Sequence, residues 1–298
     1  MKKITLAGNL SLSRIIYGMW RLTDDQDVSA KHIQAKIEAC LEQGISSFDQ
    51  ADIYGAYSSE TLLGSALRQA PGLREQIEII TKCDIVAPIG IHSAKRVKYY
   101  DTSAAYITSS VERSLVEMSI EQIDLFLLHR PDPLMDASET GAILDSLIDC
   151  GKVKAVGVSN FRPWDTDLLQ SRMKHKIVAN QIEISLQENS ALTNGDLAHL
   201  QTHSMVPMAW SPLAGGKLID GIANPALTTM LNQMAERFNV APSSLAIAWL
   251  LKHSGNILPI VGSNNLQRIK LFSQALDIDL DRQSWFELYQ VANGKEVA

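Results

Sequence analysis

Short runs of apolar residues recur about every 25–45 residues along the chain, and between them lie stretches whose apolar positions fall at helical spacing. The runs are Arg14–Trp20, Ser46–Asp49, Ile77–Cys83, Ile123–His129, Lys154–Ser159, Ile177–Ile182, Val206–Ser211 and Ile257–Gly262. The intervening stretches Ser29–Gln43, Ser58–Gln69, Ser103–Met118, Asp136–Cys150, Pro163–Met173, Asp196–His203, Pro225–Asn239, Pro242–His253 and Asn265–Leu276 read as helices. Several open on Ser, Asp or Asn, which accept the free N–H groups of a first turn, or carry Pro there.

Strands that are apolar on both faces and separated by helices pair in parallel through crossovers, and eight such units close a barrel. The expected fold is an α/β protein, a (β/α)8 TIM barrel, with residues 1–298 as a single domain. An open doubly wound sheet would carry G-x-G-x-x-G after a strand, and none of the eight runs is followed by it. The longest irregular stretch, about Asp84–Thr102, carries Lys95, Arg96, Lys98, Tyr99 and Tyr100. It reads either as a partial cover over a pocket or as a solvated loop.

Composition narrows the class. With 298 residues, 46% hydrophobic and 20% charged, the chain can bury a sizeable core. Its net charge of −6 supplies neither the basic stripe that nucleic acid requires nor an attraction to an anionic membrane. The start, MKKITLAGNLSLSR, has no continuous apolar stretch of the signal-peptide kind, and no run approaches the roughly 20 residues of a spanning helix. A soluble, cytoplasmic protein is expected. Cys40, Cys83 and Cys150, an odd number at wide spacing, read as three reduced, buried thiols. Cys83 adjoins Lys82, and because strand neighbours point to opposite faces it is expected to pack outward, under a helix.

The active site of such a barrel lies at the carboxyl ends of its strands, and polar residues collect there. The strand ends read FDQADIYG, TKCD, LLHRPDP, GVSNF, NQIE and AWSPLAGG. A buried Asp49 and Lys82 are expected to pair, since an unpaired buried charge costs several kcal/mol. A lysine about 4 Å from Tyr54 is expected to lower the phenol's pKa by about two to three units, making it a usable acid. His129 then orients a carbonyl oxygen beside Tyr54. This set polarises a C=O and delivers one proton, so the reagent it lacks is a hydride. Trp210 offers a flat face for a nicotinamide, with Ser159, Asn160 and Gln181 available to its carboxamide. His199 and His203 stand four apart on a helix, a spacing that can ligate a metal. Without an H-E-x-x-H pattern they are read as exposed polar residues, and no metal is expected.

The blocks YGMWRL, FDQADIYG, ITKCD, the run from DTSAAYITSS to IDLFLLHRPDP, GKVKAVGVSNF, NQIEIS, AWSPLAGG and PIVGSNNLQR resemble the aldo-keto reductase family, in order from Tyr17 to about Arg268. WRL, HRPDPLMD and MAWSPLAGG further resemble its bacterial YdhF-like oxidoreductases. The resemblance implies an NADPH-dependent reductase that turns aldehydes or ketones into alcohols, on a barrel that binds its dinucleotide without a Rossmann fold. It places the catalytic tetrad on Asp49, Tyr54, Lys82 and His129, and the nicotinamide site on Ser159, Asn160, Gln181 and Trp210. It places a pyrophosphate loop on Ser211, Pro212, Leu213 and Gly215, and a grip on the adenosine 2′-phosphate on Gly262, Ser263 and Arg268. Trp20 is either a core aromatic or, as the family suggests, a wall of the substrate pocket. Where the family often has Lys or Arg before the serine of the last turn, this chain has Gly262, and Leu271-Phe272 replaces Glu-Asn after Arg268. NADPH is expected over NADH, with Arg268 as the main partner of the 2′-phosphate.

The expected partner is a small carbonyl substrate, on a monomer or weak homo-oligomer. Two other readings stand beside reduction: a cofactor-binding redox sensor with slow turnover, and an aldolase using Lys82 as a Schiff-base nucleophile, which the neighbouring Asp49 opposes. Specificity is expected from Asp84–Thr102, Gly216–Ala223 and the tail after Asp281, and the shortness of that tail suggests an open pocket.

Overall fold

The computed structural model describes residues 1–8, 10–222 and 224–298. Among them eight parallel strands close a barrel in sequence order: β1 (Ile16–Gly18), β2 (Ser47–Asp49), β3 (Glu78–Cys83), β4 (Ile123–Leu128), β5 (Val153–Ser159), β6 (Ile177–Glu183), β7 (Val206–Trp210) and β8 (Leu258–Val261). Closure is made by β8 pairing with β1, Ile260 opposite Ile16 and Val261 opposite Tyr17. Outside lie α1 (Ala30–Leu41), α2 (Ser59–Gln69), α3 (Ala104–Met118), α4 (Ala137–Asp149), α5 (Pro163–Gln170), α6 (Asp196–Thr202), α7 (Pro225–Phe238), α8 (Pro242–Leu251), α9 (Leu266–Ile269) and α10 (Arg282–Asn293). Caps set their starts: Ser29, Ser103, Asp136, Asn224 and Asp281 each accept a first-turn N–H.

Two apolar cores follow from strand alternation. Ile16, Ile80, Leu125, Leu127, Ala155 and Met208 point into the barrel, while Tyr17, Ile79, Phe126, Val156 and Ala209 pack under the helices. Carried to the strand ends, the inward set becomes Asp49, Lys82, His129, Ser159, Gln181 and Trp210. The polar residues at the mouth are thus the last members of the same inward-facing rows that fill the barrel. Cys83 takes the opposite parity and packs with the outer core, as expected.

Several features depart from the sequence reading. An antiparallel hairpin, Lys3–Ala7 with Leu10–Ser13, plugs the amino-terminal end of the barrel, with Leu10 and Leu12 in the inner core. Its strands are too short and too mixed in polarity to stand out as a pattern. The Asp84–Thr102 stretch contains a small hairpin, Ile85–Val86 with Tyr99–Tyr100. The expected helix Asn265–Leu276 divides into α9 and a separate 3-10 turn, Phe272–Leu276. The chain after Asp281 is a helix rather than a loose tail. It docks on α8 by stacking Trp285 on Trp249, centroids 4.6 Å apart, and each indole N–H donates to the other residue's carbonyl. Cys40 and Cys83 are buried, but Cys150, which ends α4 facing solvent, is exposed, correcting the expectation of three buried thiols. Ala223, at the end of the Gly216–Ala223 stretch, lies outside the described residues. No described helix is long and apolar enough to cross a membrane.

Candidate active site

Strand pairing places the tetrad. Beyond Asp49, the last residue of β2, the ladder to β3 continues through Gln50 N–H to the Ile80 carbonyl (2.8 Å) and Asp52 N–H to the Lys82 carbonyl (2.9 Å). The turn that follows carries Tyr54 back over the mouth. Gly55, Ala56 and Tyr57 all have left-handed backbone, with φ of 57°, 53° and 69°. A Cβ on Gly55 would stand 2.2 Å from Thr23 Cγ2, so the turn depends on glycine there. Asp84, Asn160 and Ser211, each just past a strand end, also have positive φ, so backbone strain is concentrated at the mouth.

Lys82 is fully buried and its three N–H donors are all used: Asp49 Oδ2 at 2.8 Å, the Gln50 carbonyl at 2.7 Å and Tyr54 Oη at 3.0 Å. Burial pulls the Lys82 pKa down, but Asp49 and Tyr54 more than offset this and raise it overall, so Lys82 remains an ammonium. The ammonium donates to the phenol oxygen, so Lys82 does not compete for the phenol's own proton.

The expectation for the Tyr54 pKa is corrected. Burial raises it and Asp49 adds to the rise, and together they outweigh the lowering by Lys82. The sequence estimate counted the lysine's attraction without the cost of forming a phenolate away from water. Tyr54 therefore keeps its proton at neutral pH, which suits a donor.

His129 sets its ring edge-on to Tyr54, centroids 6.1 Å apart. Burial, Lys82 and Arg130 hold its pKa well below the ordinary range, so it is a neutral imidazole. Its Nδ1 is buried and has no hydrogen-bond partner among the described residues. Asn160 ties this side of the mouth together: its Nδ2 donates to Ser159 Oγ (2.8 Å) and the His129 carbonyl (3.3 Å), and its Oδ1 accepts from Trp210 Nε1 (3.0 Å). Ser159 Oγ donates to the Gln181 carbonyl at 2.7 Å. Gln181 Nε2 donates to Asp49 Oδ1 at 2.7 Å, linking this group to the tetrad.

The turn after β7 holds Ser211, Pro212, Leu213 and Gly215, with positive φ at Ser211, Ala214, Gly215 and Gly216. After β8, Ser263 accepts from Tyr17 Oη (2.8 Å) at its carbonyl, and Asn265 caps the turn by accepting from the N–H groups of Gln267 and Arg268. A Cβ on Gly262 would lie 2.9 Å from the Gly18 carbonyl, so this close approach also needs glycine. The Arg268 side chain is exposed and makes no hydrogen bond among the described residues. Trp20 is 59% exposed with the Arg21 guanidinium 5.3 Å above its ring, so it stands at the rim and not in the core.

Sequence reasoning missed several residues. Arg21 donates to the Gly215 carbonyl (3.0 Å), while its own carbonyl accepts from Asn264 Nδ2 (2.6 Å), so it bridges the turns after β7 and β8. Lys36, fully buried on α1, bonds Asp25 and also Asn264 Oδ1 (3.0 Å). Arg130 lies over the Trp210 ring at 6.0 Å. Behind the Tyr54 turn, Asp52 pairs with Arg113 at 3.2 Å, yet burial pushes its pKa up to about 8. Nearby Glu60, bonded by Thr81 (2.6 Å) and Ser114 (2.9 Å), is pushed up by burial to about 7. The signal that found the site was polar residues at predicted strand ends. It does not reach residues on loops or in the outer layer.

The arrangement fits a nicotinamide dinucleotide on three observations: the His129 Nδ1 without a partner among the described residues, the indole of Trp210 only partly covered, and the glycine-lined turns beside the mouth. Known proteins agree. Residues 14–293 match the model of the aldo/keto reductase family. A 6-dehydroglucose reductase of Agrobacterium fabrum is 57% identical over 298 residues, covering the whole of both chains. The oxidoreductase YdhF of Escherichia coli is 38% identical over 299 residues, covering all of this chain and 99% of the other. Among solved structures, a glycerol dehydrogenase from Gluconobacter oxydans matches with a TM-score of 0.86 at 23% identity, over 97% of this chain and 94% of that one. At that identity the likeness bears on the fold.

Proposed function

The chain belongs to the aldo/keto reductase family and is an NAD(P)H-dependent oxidoreductase, and we propose that it reduces a polyhydroxylated aldehyde with NADPH, the reduction being supported by the geometry of the mouth and the substrate class by a relative. The observation that carries the reduction is the buried Lys82 ammonium donating to Tyr54 Oη at 3.0 Å, beside a His129 whose Nδ1 has no partner among the described residues. When bound, the nicotinamide supplies the hydride. The protein holds the carbonyl oxygen near Tyr54 Oη and His129, and Tyr54 gives its proton to that oxygen. Lys82, fixed by Asp49, steadies the phenolate that remains.

Ser159, Asn160, Gln181 and Trp210 would hold the nicotinamide, the Ser211–Gly216 turn the pyrophosphate, and Gly262, Ser263 and Arg268 the adenosine end. Arg268, exposed and making no side-chain hydrogen bond among the described residues, is the cation available to a 2′-phosphate there. Arg268→Ala is expected to weaken NADPH binding at least tenfold and to leave NADH almost unchanged; equal effects on both would remove the 2′-phosphate role.

The substrate class rests on the 57% identical relative named 6-dehydroglucose reductase. Arg130 and Glu183, two ionisable side chains at the ends of β4 and β6, and the exposed indole of Trp20 suit a sugar's hydroxyls and C–H faces. NADPH and NADH oxidation should be followed with 6-dehydroglucose, simple aldehydes, ketones and quinones. The sugar aldehyde with NADPH is expected to give the highest kcat/KM. Absence of turnover with every carbonyl would overturn the proposal and favour a cofactor-sensing role. An aldolase role is opposed by Lys82 itself, whose raised pKa and three occupied donors leave no free amine to attack a carbonyl.

A further inference from the structure

On the outer helical layer three side chains converge without serving the barrel mouth. Asp167 lies on α5; His199 lies on α6, and His203 ends that helix, its N–H still donating to the His199 carbonyl at 3.1 Å. The imidazoles are neighbours, with centroids 4.4 Å apart. Both turn Nε2 toward one oxygen: His199 stands 2.8 Å and His203 3.7 Å from Asp167 Oδ1. All three donor atoms lie within 4.8 Å of one another.

A hydrogen bond explains the first of these distances and not the second. A tetrahedral ion with bonds of about 2.0–2.1 Å separates its ligands by about 3.3 Å, between the two observed values. Side-chain rotations from separations of at most 4.8 Å would place all three donors around one ion. Two imidazoles and a carboxylate suit zinc and its neighbours nickel, copper and cobalt, while magnesium and calcium prefer all-oxygen sites. Asp167 and His203 are about half exposed, so an ion has open access and water can complete its coordination. The contact of His32 with Asp25 differs, because that carboxylate is already paired with buried Lys36.

We propose that Asp167, His199 and His203 bind one divalent ion of the zinc class, which ties α5 to α6. These helices follow β5 and β6, whose ends carry Ser159 and Gln181, so the ion would clamp two adjoining units of the barrel. The helical spacing of the histidines was legible in the sequence. The third ligand was not, because Asp167 comes from a different helix.

The full chain, stripped with a chelator, should be titrated with zinc by calorimetry. One equivalent is expected to bind, and zinc is expected to raise the Tm; magnesium should do neither. The His199→Ala/His203→Ala double variant should lose both effects, and Asp167→Asn should bind roughly tenfold more weakly. Cobalt should give the visible bands of a nitrogen and oxygen site without a sulfur charge-transfer band. No saturable binding, zinc affinity unchanged in the double variant or in Asp167→Asn, or a sulfur band pointing to Cys150 would each overturn the proposal.

Discussion

Replacing Asp49 with Asn removes the charge from one end of a buried ion pair and leaves its shape. Asp49 Oδ2 and Lys82 Nζ are 2.8 Å apart, and both side chains are almost wholly buried. At an effective dielectric near 20, that separation corresponds to an attraction of about 6 kcal/mol. Lys82 keeps the Gln50 carbonyl and Tyr54, so part of this is retained, and a net cost of about 3–5 kcal/mol is expected for stranding one partner of a buried pair. The variant can relieve this cost by releasing the Lys82 proton. In the native protein the Lys82 pKa is raised, so its contribution to stability persists until pH exceeds the ordinary lysine range. In Asp49→Asn the folded-state pKa falls below the unfolded value, so the unfolded chain binds more protons between the two and stability recovers as pH rises. Thermal melts from pH 6 to 9 should show the largest loss of Tm at the acid end. Turnover should move the other way, gaining an alkaline limb as Lys82 loses the charge that steadies the Tyr54 phenolate. A Tm loss independent of pH, with no new limb in kcat, would refute the assignment of Asp49 as the group that holds Lys82 charged.

Two further outcomes follow from particular distances. Gly55→Ala puts a Cβ 2.2 Å from Thr23 Cγ2 at a φ of 57°, so kcat should fall and stability drop by about 1–3 kcal/mol. Adding Thr23→Ala should restore part of both; no recovery in the double variant would show that the clash is not the cause. A thiol reagent should modify one cysteine per native chain, Cys150, and three after denaturation, since burial shelters Cys40 and Cys83 and raises both thiol pKa values. Two fast thiols in the native protein would contradict the burial of Cys40 on α1 or of Cys83 on β3.

What was legible in the sequence followed from strand ends and alternation. Ile80 and Lys82 share one face of β3, Leu127 and His129 continue one face of β4, and the inward rows that fill the barrel end on polar residues at the mouth. Their position at predicted strand ends let Asp49, Lys82, His129, Ser159, Gln181 and Trp210 be grouped from the sequence, while alternation placed Cys83 on the outer face. Properties that depend on the surroundings rather than on the strand were not legible. The Tyr54 pKa was misjudged because burial acts from all sides, while the lysine acts from one. Arg21, Lys36 and the Asp52–Arg113 pair lie on loops and helices with no repeating pattern to point at them. The amino-terminal hairpin was hidden by its brevity, and α10 by being read as a tail rather than a cover for α8.

The central claim is that Tyr54 delivers the proton that accompanies reduction. It is tested most directly by mixing NADPH-loaded Tyr54→Phe protein with aldehyde in a stopped-flow instrument and following the nicotinamide absorbance in a single turnover. NADPH should bind as it does to the unaltered protein, and the rate of hydride transfer should fall roughly 10²–10⁴-fold. A single-turnover rate equal to that of the unaltered protein would show that the proton comes from elsewhere and would contradict the account.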